Sequence, residues 1–313
     1  MGSEITITWP EIDRSVRATL AETESADLVA EFRDAMPFGV VQSHPVVSGS
    51  SVTMWLPYLS KAPTPTMESI VDAPIGRIRL SQGTGSKISI QYGPGLEPAK
   101  QAVLGQVHPD DVPSLPEIGR QVWDNLFWLK RPLTVHFSSP GGPDAPPARP
   151  ALRTAVAQRM SDAADAIQLH EPRDMEVLRT GQVPDAGSFG QYFSVWDAAH
   201  GLVRDFVTNT LYPIYSALLR DGIETARTVY DVVGTKYHFT LGYHGWKELS
   251  TFAQEFHEVL CSEADVESVQ EVLEQLLRYG NALYAWSHQS FPWYVAMNFP
   301  LPGAGPIGGR WEL

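Results

Sequence analysis

Aromatic residues and histidines recur at four-residue intervals in the second half of the chain. Tyr192, Trp196 and His200 form one series, and Tyr284 and His288 form another. On a helix this spacing places the side chains on one face. Such faces usually pack into a core, whereas a buried imidazole needs hydrogen-bond partners. The spacing therefore predicts either a helix core or the wall of an aromatic ligand pocket.

His44 is the candidate acid or base of the first half. It stands between Gln42 and Pro45 at the predicted end of a short strand, and histidine changes its charge near neutral pH. Tyr92 ends another predicted strand before Gly93 and is a candidate phenolic donor at the same edge. For both residues a structural role, with the side chain hydrogen-bonded to a loop or to the backbone, stays open beside the catalytic one.

Four charged residues suit work on small acidic molecules. Arg77 and Arg79 alternate in one predicted strand and project from the same face, where they could bind a carboxylate or remain solvated. Glu68, in the loop before that strand, and Glu255, on a predicted helix, are the candidate bases. A carboxyl group serves as a base near pH 7 when its surroundings raise its pKa.

Composition excludes several classes of protein. The 313 residues carry a formal net charge of −13 without a block of basic residues, which argues against a nucleic-acid partner. A single cysteine rules out an intrachain disulfide and a thiolate metal cluster. The histidine spacings do not predict a metal site. No signal peptide and no apolar stretch of about 20 residues is present, so we expect a cytoplasmic protein with no membrane partner.

The hydrophobic period changes near residue 138. Residues 1–138 show two-residue alternation between Gly- and Pro-rich turns, which predicts an antiparallel barrel or sandwich carrying two helices. Residues 139–150 are dense in proline and glycine and predict a linker. Residues 151–313 show a period near 3.6 and end in an aromatic tail, which predicts a helical bundle. The predicted helices cover about 151–169, 188–220, 223–240, 246–260 and 265–288.

The order of these elements resembles a known family. The segments MPFGVVQSHPVVSGSSVTMWLP and APIGRIRLSQGTGSKISIQYG are similar to the bacterial cyclophilin-like domain, with its His-bearing strand, Ser-Gly turn, Pro-x-Gly strand and final Tyr-Gly strand. With the helical half, the chain resembles cucumopine synthase and its relatives. The resemblance implies an α+β fold, with an N-terminal cyclophilin-like antiparallel β-barrel followed by a C-terminal α-helical bundle.

The resemblance also implies a Pictet-Spengler reaction of secondary metabolism, classed as a synthase or lyase. An aromatic amino acid of the L-histidine or tryptophan type condenses with a 2-oxo acid or aldehyde to an imine, and the aromatic ring then closes on it. No cofactor or metal is implied. Acid and base groups would come from His44, Tyr92, His200, Glu68 and Glu255. The pocket between barrel and bundle would be lined by Arg77, Arg79, Tyr192, Trp196, His238, His288 and Trp293.

A second function accounts for the same aromatic residues. A small-molecule or peptide receptor of the cyclophilin-like fold would need the pocket but no acid or base. Both functions imply small-molecule partners, and both leave the assembly open between a monomer and a homodimer.

Overall fold

The computed structural model describes residues 4–45, 48–83, 85–180 and 195–290. In this part of the chain the first half forms an antiparallel sheet with two helices, and the second half is helical, which confirms the α+β class. The strands are β1 (Glu4–Trp9), β2 (Arg14–Leu20), β3 (Phe38–Val41), β4 (Gly49–Trp55), β5 (Met67–Ser69), β6 (Arg77–Ser81), β7 (Lys87–Gly95), β8 (Lys100–Val107) and β9 (Thr134–Ser138). The helices are α1 (Ala26–Asp34), α2 (Leu115–Asp124), α3 (Ala155–Ala166), α4 (Arg173–Arg179), α5 (Val195–Arg204), α6 (Tyr212–Asp221), α7 (Ile223–Val233), α8 (Lys236–Tyr243), α9 (Lys247–Ser262) and α10 (Val266–Ser290).

The sheet is not closed, which corrects the predicted barrel. Its order over the described residues is β3-β9-β1-β2-β8-β6-β7-β4, with β5 also pairing with β8. The two end strands are linked by an isolated bridge between Ser43 and Thr53, just beyond the end of β3. Pro45 follows almost at once and has no N–H with which to continue a ladder. The first and last strands of the sheet therefore approach each other without forming a continuous ladder.

One face of the sheet is apolar and builds the core of the first half. Helices α1 and α2 pack against this face, because their apolar residues recur at three- and four-residue spacing. Strand alternation sends every second residue to this core. The strand side chains involved include Val52, Met54, Ile78, Leu80, Ile88, Ile90, Ala102 and Leu104.

The opposite face of four adjacent strands is polar and yet buried. In β4, β6, β7 and β8, six polar side chains that alternate with the apolar core residues are less than 9% exposed. A polar strand face normally lies in water, so its burial is the unusual feature of the fold. We call this set the polar face: Ser51, Thr53, Arg79, Ser89, Gln91 and Gln101.

The second half packs around α10. This helix has core residues along its length, and α3 and α9 lie against it. Helices α5 and α6 are joined by a π-helical turn, Asp205–Leu211, so one continuous helix runs through residues 195–221, close to the predicted 188–220. Among the described helices we find none that combines the length and apolar character needed to cross a bilayer.

The division of the chain into two domains joined by a linker at residues 139–150 stays a prediction. Strand β9 ends at Ser138 and α3 begins at Ala155. Residues 139–154 between them form neither helix nor strand. Helix α4 was not predicted, because its seven residues give too short a stretch for a clear period.

Arg278 of the bundle also bonds to the chain that follows the sheet strand β4. Its Nε donates to the carbonyl of Pro57, just after β4, at 2.8 Å. Its Nη1 donates to Ser161 at 3.0 Å, and its Nη2 pairs with Asp165 at 2.5 Å, both on α3. Burial lowers the pKa of Arg278 to about 10, so the group stays charged at neutral pH. One guanidinium thus joins α10, α3 and the chain that follows Trp55.

We expect Arg278→Met to lower the free energy of unfolding by about 3 kcal/mol, because the buried side chains of Ser161 and Gln275 lose the donor that Arg278 supplies. Urea unfolding followed by circular dichroism measures the change. The control is Arg220→Met, since the Arg220–Asp221 pair is largely exposed and should change stability by less than about 1 kcal/mol. Equal effects of the two substitutions would show that Arg278 does not stabilise the contact between the bundle and the sheet.

Candidate functional site

The polar face contains buried polar atoms without partners. Within the described residues, Arg79 Nε and Nη1, Gln101 Oε1 and Ser43 Oγ have no hydrogen-bond partner. Ser43 pairs with Thr53 and so shares this side of the sheet. Nearly all buried polar groups in proteins are hydrogen-bonded. Several unpartnered atoms on one strand face therefore indicate a place where a polar ligand binds.

Arg79 is the charged centre of this face. Its side chain is 0% exposed, and its Nη2 donates to the neutral amide of Gln91. Burial lowers its pKa to about 10, against the opposing field of Glu68, so it remains a cation at neutral pH. A buried cation without an adjacent carboxylate is costly. The arrangement suits an anionic ligand.

The neighbouring arginine is already paired. Arg77 Nε donates to Glu68 Oε2 at 2.8 Å, and both side chains are only partly buried. Glu68 lies opposite Gln101 in the β5–β8 ladder, at the margin of the polar face. Of the two predicted carboxylate binders, Arg79 is the one without a carboxylate partner among the described residues.

An aromatic wall faces one end of the polar face. We define it as Trp55 of β4, His200 of α5, and Tyr284 and His288 of α10. The Trp55 ring lies 5.1 Å from Tyr284 and 5.4 Å from His288, centroid to centroid. His200 lies 4.9 Å from His288 and 5.4 Å from Tyr284. The predicted four-residue spacing thus brings Tyr284 and His288 together at the junction of sheet and bundle.

Hydrogen bonds define the tautomers of the two wall histidines. His288 Nδ1 lies 2.9 Å from the Tyr284 carbonyl, which can only accept, so Nδ1 carries the proton. Ser287 donates its hydroxyl to the same carbonyl and accepts from His200 Nδ1 at 2.7 Å. In both neutral rings the lone pair is therefore on Nε2.

Burial keeps both wall histidines neutral. It lowers the pKa of His288 to about 4, with Lys87 and Arg204 adding to the effect. It lowers the pKa of His200 to about 2, with His288 and Arg204 as further causes. At neutral pH each Nε2 can accept a proton but has none to give.

His44 and Tyr92 do come together, but on the other side of the sheet. Tyr92 follows Gln91, so alternation points it away from Arg79 and towards Gly119 of α2. His44 is 3% exposed, donates from Nδ1 to the Pro45 carbonyl at 2.6 Å and accepts at Nε2 from the Tyr92 hydroxyl at 2.7 Å. Burial lowers the pKa of His44 to about 4 and raises that of Tyr92 to about 12. Both are neutral and internally bonded.

We expect His44→Ala to cost about 3 kcal/mol of stability, because the substitution opens a cavity and removes one partner of Tyr92. Turnover per folded molecule should stay close to that of the parent protein. Thermal unfolding and steady-state kinetics on the soluble fraction separate the two effects. The predicted acid–base role would instead show as a loss of about 10²–10⁴ in turnover with little change in stability.

Two predicted residues belong to the bundle. Glu255 on α9 pairs with Arg159 of α3 at 2.8 Å. His238 on α8 lies 3.1 Å from the Tyr230 hydroxyl and next to the His257 ring. Neither is placed with Arg79 or the aromatic wall. Their predicted roles have no support from this arrangement.

Three further predictions cannot be placed. Tyr192 and Trp293 lie outside the described residues, as does the side chain of Trp196.

Sequence reasoning missed Trp55, Gln91 and Gln101. Each occupies the polar position of an alternating strand, and such positions normally face water. The available signal was the alternation itself, which places Gln91 beside Ser51 and Trp55 beside Lys87 in the β4–β7 ladder. This alternation identifies the site residues only when it is already known that the bundle buries the polar face.

Comparison with known proteins finds a match in the helical half. Residues 153–290 match the cucumopine synthase C-terminal helical bundle domain. The structure of McbB in complex with tryptophan has the same fold, with a TM-score of 0.84 and 24% sequence identity over 95% of this chain and 100% of that one. No curated protein matches the sequence.

Proposed function

We propose that the protein is a Pictet-Spengler cyclase of the cucumopine synthase type, because residues 153–290 match the C-terminal helical bundle domain of that family. It condenses an aromatic amino acid of the histidine or tryptophan type with a 2-oxo acid or aldehyde, by acid–base catalysis and without a cofactor. The similar fold of McbB, which was solved with tryptophan bound, supports an aromatic amino acid as one substrate. The predicted cytoplasmic location and homodimeric assembly stay predictions.

The observation that carries this proposal is the unpaired Arg79. An isolated buried cation costs several kcal/mol, which a bound carboxylate would offset through charge-assisted hydrogen bonds to Nε and Nη1. Both substrate types, amino acid and 2-oxo acid, bring such a carboxylate. The neutral amides of Gln91 and Gln101 do not compete with it.

The aromatic wall suits the other part of the reaction. The substrate ring must be held against the iminium carbon, and such positioning can supply roughly 7–11 kcal/mol of the barrier. Trp55 and Tyr284 offer faces for a flat ring and for a nearby cation. Packing at this wall would also keep water from the imine.

The wall also offers a base. After the carbon of the aromatic ring attacks the iminium carbon, that aromatic ring must lose a proton from the attacking carbon to recover its aromaticity. We assign this proton to Nε2 of His288, which carries a lone pair at neutral pH. His200, held by Ser287, is the neighbouring acceptor. Both assignments differ from the predicted bases Glu68 and Glu255, which are engaged by Arg77 and Arg159.

Mass spectrometry tests the proposal. The protein is incubated with L-histidine or L-tryptophan and a panel of 2-oxo acids and aldehydes, and the condensation product is measured against the protein-free rate. We expect a product whose mass equals the two substrates less one water. Product formation at the protein-free rate across the panel would refute the cyclase.

The second function, a receptor without catalysis, is tested in the same samples. Calorimetry with each aromatic amino acid measures binding independently of turnover. Tight binding without product would favour the receptor, because the polar face and aromatic wall alone suffice for it.

A further inference from the structure

We propose that Lys87 forms a covalent imine with the 2-oxo acid and that the aromatic amine then displaces Lys87 from this imine. This inference rests on the proposed cyclase function and adds a covalent step to it. Lys87 was not among the residues selected from the sequence.

Strand register places Lys87 on the side of the polar face. It lies opposite Ser81 of β6 and opposite Trp55 of β4, and its Nζ is 5.8 Å from the centre of the Trp55 ring. Arg79 lies opposite Ser89, two residues further along β7. The Cα atoms of Arg79 and Lys87 are therefore roughly 8 Å apart as diagonal neighbours. Long side chains can span this separation and meet on one small molecule.

This geometry matches a 2-oxo acid. Its carboxylate is bonded directly to the carbonyl carbon, so a carboxylate held by Arg79 presents that carbon a short distance away. Lys87 lies between the carboxylate position and the aromatic wall. The amine substrate, with its ring against Tyr284 and Trp55, would meet the carbonyl carbon from the other side.

The charges around Lys87 favour a nucleophilic amine. Among the described residues, none forms a hydrogen bond or ion pair with Lys87 Nζ, which lies over the Trp55 ring. Burial lowers its pKa, Glu97 opposes this, and the positive charge of Arg204 adds to it. His288 faces it from α10 as a neutral ring. A lysine in apolar surroundings beside other cationic groups is the usual form of an imine-forming amine.

The step conserves atoms and needs no further reagent. The neutral Nζ attacks the carbonyl carbon, and the carbonyl oxygen leaves as water with two protons, one of them from Nζ and one from solvent, leaving a protonated imine. The substrate amine then attacks the same carbon, and Nζ departs as a neutral amine after a proton moves to it from the incoming nitrogen. The ring closes on the new imine, and Lys87 is restored.

Hydride trapping tests the proposal. The protein is incubated with glyoxylate and sodium cyanoborohydride, and the adduct is located by intact mass and peptide mapping. The expected adduct is one glyoxylate less one oxygen, on Lys87, and Lys87→Arg should reduce it to background. Lys130→Arg is the matched control, because burial lowers the pKa of Lys130 to about 8 and it would trap glyoxylate if basicity alone decided the site.

Product assays with the same variants separate this inference from the cyclase proposal. Lys87→Arg should lose at least about 100-fold in turnover, as expected for loss of a reacting group, and should still bind the aromatic amino acid by calorimetry. If wild-type protein makes product but traps no adduct on Lys87, or if Lys87→Arg turns over normally, the covalent role is refuted and the cyclase stands. If wild-type protein traps the adduct but makes no product with any amine, the cyclase is refuted together with this role.

Discussion

Replacing Arg79 by methionine should lower kcat/KM for the condensation by about 1000-fold and at the same time stabilise the unliganded protein. A buried charge pair that loses one partner costs about 3–5 kcal/mol, and about 4 kcal/mol corresponds to that loss in rate. The gain in stability arises because Arg79 is fully buried beside neutral Gln91. Replacing buried ionic groups by apolar ones of similar size can stabilise a protein by about 1–4 kcal/mol.

Opposite signs for activity and stability distinguish a binding group from a structural one. Kinetics by product mass spectrometry and urea unfolding supply the two measurements. Gln91→Glu is the companion variant, since a carboxylate beside Arg79 would form an internal ion pair, stabilise the unliganded protein and exclude the substrate. Arg17→Met is the control, because Arg17 lies on β2 and pairs with Asp111. If Arg79→Met destabilises the fold and leaves kcat/KM unchanged, Arg79 is structural.

Acidification should destabilise the protein steeply from about pH 6.5 downwards, before the carboxylates titrate. Burial lowers the pKa of His44 and His288 to about 4 and that of His200 to about 2. The unfolded chain takes up protons on these rings near pH 6.5, and the folded chain does not. The unfolded state therefore binds more protons in this window, and stability rises with pH across it.

The expected loss between pH 6.5 and 4.5 is on the order of 5 kcal/mol for the three histidines together. Urea unfolding at intervals of half a pH unit measures the slope. His44→Gln should reduce the slope by about a third, because it removes one of three similar contributions. The contributions of His44 and His288 level off below about pH 4, where their folded forms also accept protons. A flat profile between pH 7 and 5 would mean that these rings are protonated in the folded protein.

Local sequence patterns were enough to predict most of the strands and helices. The two-residue alternation of Ile88, Ile90 and Tyr92 predicts β7, and the four-residue spacing of Tyr284 and His288 predicts their common face on α10. These patterns follow from the periods of strand and helix, which are local properties of the chain. Strand β8 was missed, because Gly105 and Gln106 interrupt its alternation.

The closure of the sheet depended on contacts that alternation does not encode. Each strand was predicted from its own residues, but a barrel requires the first and last strands to pair along their length. Among the described residues, the two ends of the sheet pair through a single bridge, between Ser43 and Thr53. Pairing between distant strands is a property of the whole sheet, so the patterns that predicted the α+β class did not predict that the sheet stays open.

The side of the sheet that carries the candidate site could be identified from the tertiary structure but not from the sequence. Alternation already puts Gln91 and Tyr92 on opposite faces, and it puts Arg77 and Arg79 on the same one. Alternation does not predict which face the bundle covers. It also does not predict that Glu68 pairs with Arg77, so that Arg79 Nε and Nη1 have no partner among the described residues. Burial and charge pairing arise from residues far apart in the chain, and they separate His44, beneath α2, from Arg79, which donates to Gln91 and has no ion pair among the described residues.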